Sequence, residues 1–335
     1  MRVGLIVIDE DPADALRVAQ AADRAGVHSL WSIDYYNRSS LARAAAFAAV
    51  TSNALVGTSI APLFARAPLA MAAAVSDIQS LAHGRFVLGV GTSTRRMNAD
   101  WYGIPLEHPA QQAAERIDAI RAVLAHKSGP FSFQGRFDRL SLAHLDRAAA
   151  PAPPPILAAG VGERMVTLAG QSADGFVGHP IASAEYLRDR AWPLLRDGMA
   201  RAGRADADFC VTTQVVAAVD EKPEAARRSA AAQVGFYATV KGYDPLFPGG
   251  SFAAERLAAR QAFAQGDVTS VAAAAWPMVK ERAVYGTAAD VSAQLARYRD
   301  VVDWALLYPP HYGVEAADIT ANELALIEVA ACWTS

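Results

Sequence analysis

Short apolar runs alternate with segments of helical periodicity along almost the whole chain. Residues 3–8 read as a first strand and 12–25 as an amphipathic helix stopped by Gly26. Residues 29–33 predict a second strand, 41–51 a helix, and 55–60 a third strand. Pro68 opens a helix to Leu81, since a first-turn proline loses no hydrogen bond. Residues 86–90 predict a fourth strand and 111–124 another helix. Ile156–Ala159, Gly175–Gly178, Cys210–Val219 and Trp304–Tyr308 supply four more strands, with helices between and after them.

Eight strand–helix units predict an α/β fold: a (β/α)8 TIM barrel in a single domain spanning 1–335. Two stretches interrupt the alternation. Residues 129–142 place Pro130 and Gly135 among aromatics and predict a surface hairpin. Residues 235–285 form an excursion before the last unit. Gly242, Pro245, Pro248, Gly249 and Gly250 make it irregular at first, and helices are predicted at 252–265 and 270–283. An excursion of that length on a barrel reads as a lid or substrate-binding segment.

Composition narrows the chemistry. The chain has 335 residues, 53% hydrophobic and 19% charged, with net charge −3 and no basic arm, so nothing in it favours nucleic acid. Two cysteines, Cys210 and Cys332, cannot build a disulfide framework. No apolar run is long enough to span a bilayer or serve as a secretory leader, which predicts a cytoplasmic protein without a membrane partner. The histidines form neither H-x-H nor H-E-x-x-H, so no metal site is expected. There is no G-x-S-x-G elbow and no P-loop lysine. Gly89-Val90-Gly91 and Gly160-Val161-Gly162 each lack the third glycine of a dinucleotide fingerprint.

In a barrel the chemistry sits at the C-terminal ends of the strands. Those ends are Asp9, then Asp34-Tyr35-Tyr36, Thr58-Ser59-Ile60, Gly91-Thr92-Ser93, Gly160-Val161-Gly162, Gly178-His179, and Tyr308 with His311 beyond it. Small residues, hydroxyls and phenols suit a flat ring with a polar tail better than a metal.

Several segments resemble the luciferase-like, deazaflavin-dependent oxidoreductases. Ala25-Gly26-Val27-His28-Ser29-Leu30-Trp31-Ser32-Ile33-Asp34 is similar to the family's second-strand motif. Gly57-Thr58-Ser59-Ile60, Pro68 and the run from His83-Gly84-Arg85-Phe86 to Gly89-Val90-Gly91-Thr92 follow in order, with Leu81 and Ala82 where a serine is usual. Ala158-Ala159-Gly160, Ala173-Asp174-Gly175-Phe176 and Gly286-Thr287 extend the likeness over nearly the whole chain.

The resemblance implies a coenzyme F420 site, with FMN as the alternative cofactor in a monooxygenase that uses reduced flavin and dioxygen. A third alternative is a flavin-binding protein without turnover. It also implies a non-proline cis peptide at Ser59-Ile60 backing the ring, beside Thr58, Gly91 and Thr92. It places a phosphate tail near Gly160, Val161, Gly162, Glu163, Arg164 and Met165, where amides at a helix start bind anions. Lys280 and Arg282 are weaker phosphate candidates. Asp34 and Tyr35 are the catalytic candidates, a carboxylate beside a phenol able to orient substrate and pass a proton. Asp9, Tyr36, His179, Tyr308 and His311 are candidate substrate contacts for a small molecule. Relatives that oxidise sugar phosphates often carry histidine at the Tyr35 position and glutamate after the fourth-strand glycines. This chain has neither, which favours reduction of an activated double bond at least as much as dehydrogenation. The family also implies a homodimer.

Overall fold

The computed structural model describes residues 1–146 and 151–333. Eight strands form the barrel: β1 Arg2–Ile6, β2 Ser29–Ser32, β3 Leu55–Thr58, β4 Phe86–Gly91, β5 Ile156–Ala159, β6 Gly175–Gly178, β7 Cys210–Val219 and β8 Trp304–Tyr308. They hydrogen-bond in the order β7-β8-β1-β2-β3-β4-β5-β6, and a β6–β7 pairing closes the ring. The strands run parallel, as in Arg2↔Trp304 to Leu5↔Leu307 and Leu88↔Ile156 to Val90↔Ala158. Strands covered on both faces carry continuous apolar runs, which is why these segments do not alternate.

The longer helices are α1 Pro12–Arg24, α2 Ser40–Val50, α3 Pro68–Leu81, α4 Arg95–Tyr102, α5 Pro109–Ala125, α6 Glu163–Ser172, α7 Trp192–Arg201, α8 Pro223–Thr239, α9 Ala253–Ala264, α10 Val268–Ala275, α11 Ala288–Leu295 and α12 Ala316–Ala331. Local chemistry sets their ends. Asp11 accepts the Ala13 N–H at the start of α1, and Thr287 and Asp290 form a reciprocal capping box on α11. No helix among the described residues is long and apolar enough to cross a membrane.

Two compact units make up the chain, Met1–Trp31 with Val177–Pro193 and Cys210–Ser335, and Ser32–Phe176 with Leu194–Phe209. In the first, Leu5, Ile6, Val215, Leu306 and Tyr298 are fully buried. In the second, Phe47, Met71, Phe86, Ile117 and Phe176 are. Within the second unit α6 and α7 cross at glycines. A Cβ on Gly170 would collide with the Leu195 carbonyl, and one on Gly198 with the Thr167 carbonyl. Phe131–Gln134 pairs antiparallel with Arg139–Leu142 as a hairpin.

Four details depart from the expected elements. The third strand stops at Thr58, and a separate pair, Ala61–Pro62, bonds to Val90 and Gly91 of β4. Residues 92–94 lead straight into α4, a helix that the apolar pattern does not predict because its composition is polar. Thr94 caps it by accepting the Met97 N–H, and Gly103 (φ 65°) ends it. The helix expected over 270–283 breaks after Ala275, before Pro277, and resumes only at Val279–Arg282. Ala283–Gly286 is an extra strand paired to β7, too short to read between Arg282 and a glycine at φ 126°.

Candidate functional site

In the unit built on 32–176 and 194–209, the turn after β2 is fixed by one carboxylate. Asp34 Oδ2 accepts the Ser40 amide (3.1 Å) and the Ser40 hydroxyl (2.6 Å), at the start of α2. Arg66 Nη2 lies 3.1 Å from the same oxygen and also donates to Ser39 Oγ (3.2 Å). The Asp34 side chain is only 7% exposed, so these partners occupy it and it acts as an anchor. Tyr35 and Arg38 then exchange backbone hydrogen bonds of 3.0 and 3.3 Å, making a tight turn that carries Tyr36 outward.

Aromatic rings gather on that turn. Trp101 of α4 stands edge-on to Tyr35 (5.3 Å, 83°) and to Tyr36 (5.9 Å, 85°), and the two tyrosines lie 4.6 Å apart. With Asp34, Arg38 and Tyr102 they line a cavity of about 510 Å³. Burial holds the Tyr102 phenol above its usual pKa, helped by the Asp34 charge and opposed by Arg66, so it remains protonated at neutral pH.

The next strand ends sit close by in the same unit. Thr58 Oγ1 donates to the Gly89 carbonyl (2.7 Å) and accepts the Gly89 N–H (3.1 Å), which ties β3 to β4 and buries the hydroxyl completely. The Ser59-Ile60 peptide is cis, as the resemblance implies, and the Ser59 N–H donates to Ser32 O at 2.7 Å. Ile60 packs over Gly91, where a Cβ would come within 3.1 Å of Ile60 Cδ1. Thr92 is half-buried, and Asn98 of α4 clamps its turn by donating to Thr92 O (2.7 Å) and Thr94 O (2.9 Å).

The turn from β5 into α6 is built for close approach. A Cβ at Gly160 would meet the Met165 backbone at 2.9 Å, so only glycine lets the chain fold back there. Gly162 caps α6 with no side chain bonding the first amides, and a Cβ there meets nothing within 4 Å. Glu163 and Arg164 are exposed beside it, with Val161 and Met165 half-buried. The helix therefore begins with open space over its amide end, which suits an anion.

The other unit holds a second polar and aromatic group. Asp9, at the end of β1, is 4% exposed and accepts the Thr320 hydroxyl at 2.7 Å. Glu323 of α12 is fully buried and accepts the Ile8 N–H at 2.6 Å. Burial first, then the Asp9 charge and a hydrogen bond to Asp9, push the Glu323 carboxyl well above its usual pKa. Glu323 therefore holds its proton more tightly than an ordinary glutamate, beside a second buried carboxyl. Asp9 accordingly faces its own carboxyl partner, walled off from solvent.

His179 packs against Tyr243 (4.0 Å) and Tyr237 (4.8 Å), and the Tyr237 hydroxyl donates to the Tyr308 hydroxyl at 2.9 Å. Burial lowers the His179 pKa to about 3, so the imidazole is neutral at physiological pH. Gln233 Oε1 accepts both the His311 and Tyr312 amides (2.9 and 3.0 Å), which places His311 beside Tyr308 at 5.6 Å between rings. Arg282 is not available to a phosphate. It is 2% exposed and donates to the carbonyls of Ile181 and Leu246, while Lys280 points to solvent.

Sequence reasoning did not single out Arg66, Trp101, Tyr102, Tyr237 or Glu323. Only Glu323 left a trace, as an acid three residues ahead of the apolar pair Leu326-Ile327 on a helix. Among the described residues no group of three or more His, Cys, Asp or Glu is placed to hold a metal ion.

Comparison with known proteins gives a consistent outcome. The family model for luciferase-like monooxygenases matches residues 3–303. An uncharacterized protein of Mycobacterium tuberculosis is 35% identical over 201 residues, 58% of this chain and 59% of that protein; the match thus spans under two thirds of its length. A putative coenzyme F420-dependent oxidoreductase of the same organism is 30% identical over 261 residues, 73% of this chain and 71% of the relative. The coenzyme F420-dependent tetrahydromethanopterin reductase of Methanopyrus kandleri superposes with a TM-score of 0.81 over 97% of both chains at 18% identity, a likeness of fold.

Proposed function

Since the chain belongs to the luciferase-like monooxygenase family, we propose that it is an oxidoreductase using coenzyme F420 to move a hydride to or from a small organic substrate. The name of the 30% identical mycobacterial relative supports this reading at the level of cofactor. The observation that carries it is the turn at Gly160 and Gly162, where glycine lets the chain fold back on Met165 and the start of α6, without a side-chain cap, faces open space at Gly162.

The α6 amides and Arg164 would hold the phosphate of the cofactor tail. The kinked backbone at Ser59 and Ile60, with Gly91 and Thr92 alongside, would back its ring. The chemistry such a cofactor supplies is two-electron hydride transfer. The protein's share is orientation and proton handling. Asp34, fixed by Ser40 and Arg66, holds the turn that presents Tyr35. Reducing an activated double bond adds hydride at one carbon and a proton at its neighbour; the Tyr35 hydroxyl supplies that proton and regains one from solvent. Tyr36, carried on the same turn as Tyr35, is a substrate contact in this reading.

Titrating the purified apoprotein with F420 and with FMN, followed by fluorescence, tests it. Tight F420 binding is expected, and tight FMN binding with negligible F420 binding would overturn the choice of cofactor. Tyr35→Phe should lower turnover about 100-fold while F420 affinity stays put. Unaltered turnover would remove Tyr35 from the reaction.

A further inference from the structure

Trp101 and Tyr102 end α4, and the turn after β2 brings Tyr35 and Tyr36 against them. The four side chains help line a cavity of about 510 Å³, a volume that suits a small organic molecule. Two rings stay open to solvent there. Tyr36 is 70% exposed and Trp101 38%, and they stand at 85° to each other. Large ring surface left uncovered at a cavity marks a binding surface.

The lining also offers a hydrogen-bond donor. Asp34 is occupied, with both Ser40 donors and Arg66 on its carboxylate. The Tyr102 hydroxyl, by contrast, makes no hydrogen bond among the described residues, and its oxygen is not sealed from solvent. Burial and the Asp34 charge keep that phenol protonated, so it can donate to a ligand. A saturated sugar has no plane to stack on these rings, and it brings several hydroxyls to walls made largely of carbon. A flat molecule with a carbonyl uses both features. Conjugation to a carbonyl is also what activates a double bond toward hydride. Hydride added at the far carbon pushes the C=C electron pair toward the carbonyl oxygen, and the pair then returns to bond a proton at the near carbon. A donor already placed at that oxygen stabilises the charge while it resides there.

We propose that this cavity binds the substrate as a planar α,β-unsaturated carbonyl compound, stacked on Tyr36 and Trp101, with the Tyr102 hydroxyl donating to the carbonyl oxygen. The inference rests on the oxidoreductase reading in calling this ligand the substrate; the mode of binding stands without it.

The enone p-dimethylaminobenzylideneacetone tests the proposal on the full chain without cofactor, because its absorption moves to the red when its carbonyl accepts a hydrogen bond. It should bind and shift. Tyr102→Phe should weaken binding about fivefold and remove most of the shift. Tyr36→Ala and Trp101→Ala should each weaken binding about tenfold, and Tyr36→Phe and Trp101→Phe should restore it. In competition, the dihydro ketone (carbonyl kept, conjugation lost) should bind about tenfold more weakly than the enone. The allylic alcohol (flat, carbonyl lost) should bind about fivefold more weakly. A shift that survives Tyr102→Phe overturns the proposal. So does a failure of the enone to bind, equal competition by the dihydro ketone, or binding that Tyr36→Ala leaves unchanged. Tyr36 is mostly in solvent, so its replacement tests the wall without endangering the fold. No turnover enters these readings, so failure here leaves the F420 titration untouched, and failure of that titration leaves the enone affinities untouched.

Discussion

The Arg66 guanidinium lies 3.1 Å from an Asp34 carboxylate that also takes the amide and hydroxyl of Ser40. Side chains from two loops thus fix one turn, and the turn decides where Tyr35 and Tyr36 point. Arg66→Ala should leave a nearly buried carboxylate short of its charge partner and cost about 2 kcal/mol, less than a fully buried pair because Arg66 is 23% exposed. Urea denaturation measures it. A variant as stable as the parent would show that Ser40 alone holds the turn.

Glu323 makes stability depend on pH in an unusual direction. Its carboxyl binds a proton more tightly folded than unfolded, so the stabilisation is complete below the ordinary value of 4.5 and is lost as pH rises through the raised folded value. Glu323→Gln keeps a neutral donor toward Asp9 and should remove this decline. Glu323→Ala strips the Ile8 N–H of its acceptor and should cost about 2 kcal/mol at any pH. Urea midpoints taken every half unit from pH 5 to 9 decide, and identical slopes for parent and Glu323→Gln would refute the tighter proton binding at Glu323.

Two histidines act the opposite way. Burial lowers His28 to about 4, with the Arg2 charge adding to it, and lowers His179 to about 3. Their stabilisation is complete above the ordinary value of 6.5 and is lost as pH falls toward those folded values. His179→Gln should flatten the acid limb of the stability profile below pH 6.5. A limb that keeps its steepness would mean that His179 protonates without resistance.

The α6–α7 crossing can be probed at Gly198. Alanine is the better helix former by about 1 kcal/mol, which alone would stabilise α7. Its methyl would strike the Thr167 carbonyl, and backbone cannot move aside as a side chain can. Overpacking of this kind costs about 3 kcal/mol, so the clash wins and Gly198→Ala should lower the thermal midpoint by several degrees. An unchanged or higher midpoint would show that the two helices part easily.

Legibility in the sequence followed burial. Ile156–Ala159, Gly175–Gly178, Cys210–Val219 and Trp304–Tyr308 were readable to the residue because strands covered on both sides are mostly apolar, with Thr212, Thr213 and Gln214 the polar interruption. Helix α4 was not, since Arg95, Arg96, Asn98 and Asp100 show no apolar stripe and the Thr94 cap carries the signal alone. That omission hid Trp101 and Tyr102, half of the aromatic pocket. The strand ends led to Asp34, Tyr35 and His179, yet gave no hint that Arg66 neutralises Asp34 or that Glu323 faces Asp9. Such pairings join residues far apart in sequence, and periodicity cannot rank them. The Ser59-Ile60 backbone came from family likeness and from nothing local.

The pairing of β1 with β8, Arg2 against Trp304 through Leu5 against Leu307, has a consequence for how the molecule is made. The first strand, paired with β2 on one side, waits for β8 on the other until synthesis has passed Tyr308. Closing so long a loop costs on the order of 5 kcal/mol of chain entropy before any contact repays it. High contact order of this kind slows folding and leaves an apolar strand edge exposed meanwhile. Chains stopped short of Trp304 should accumulate as aggregates, with Val3, Leu5 and Ile6 as the sticky element.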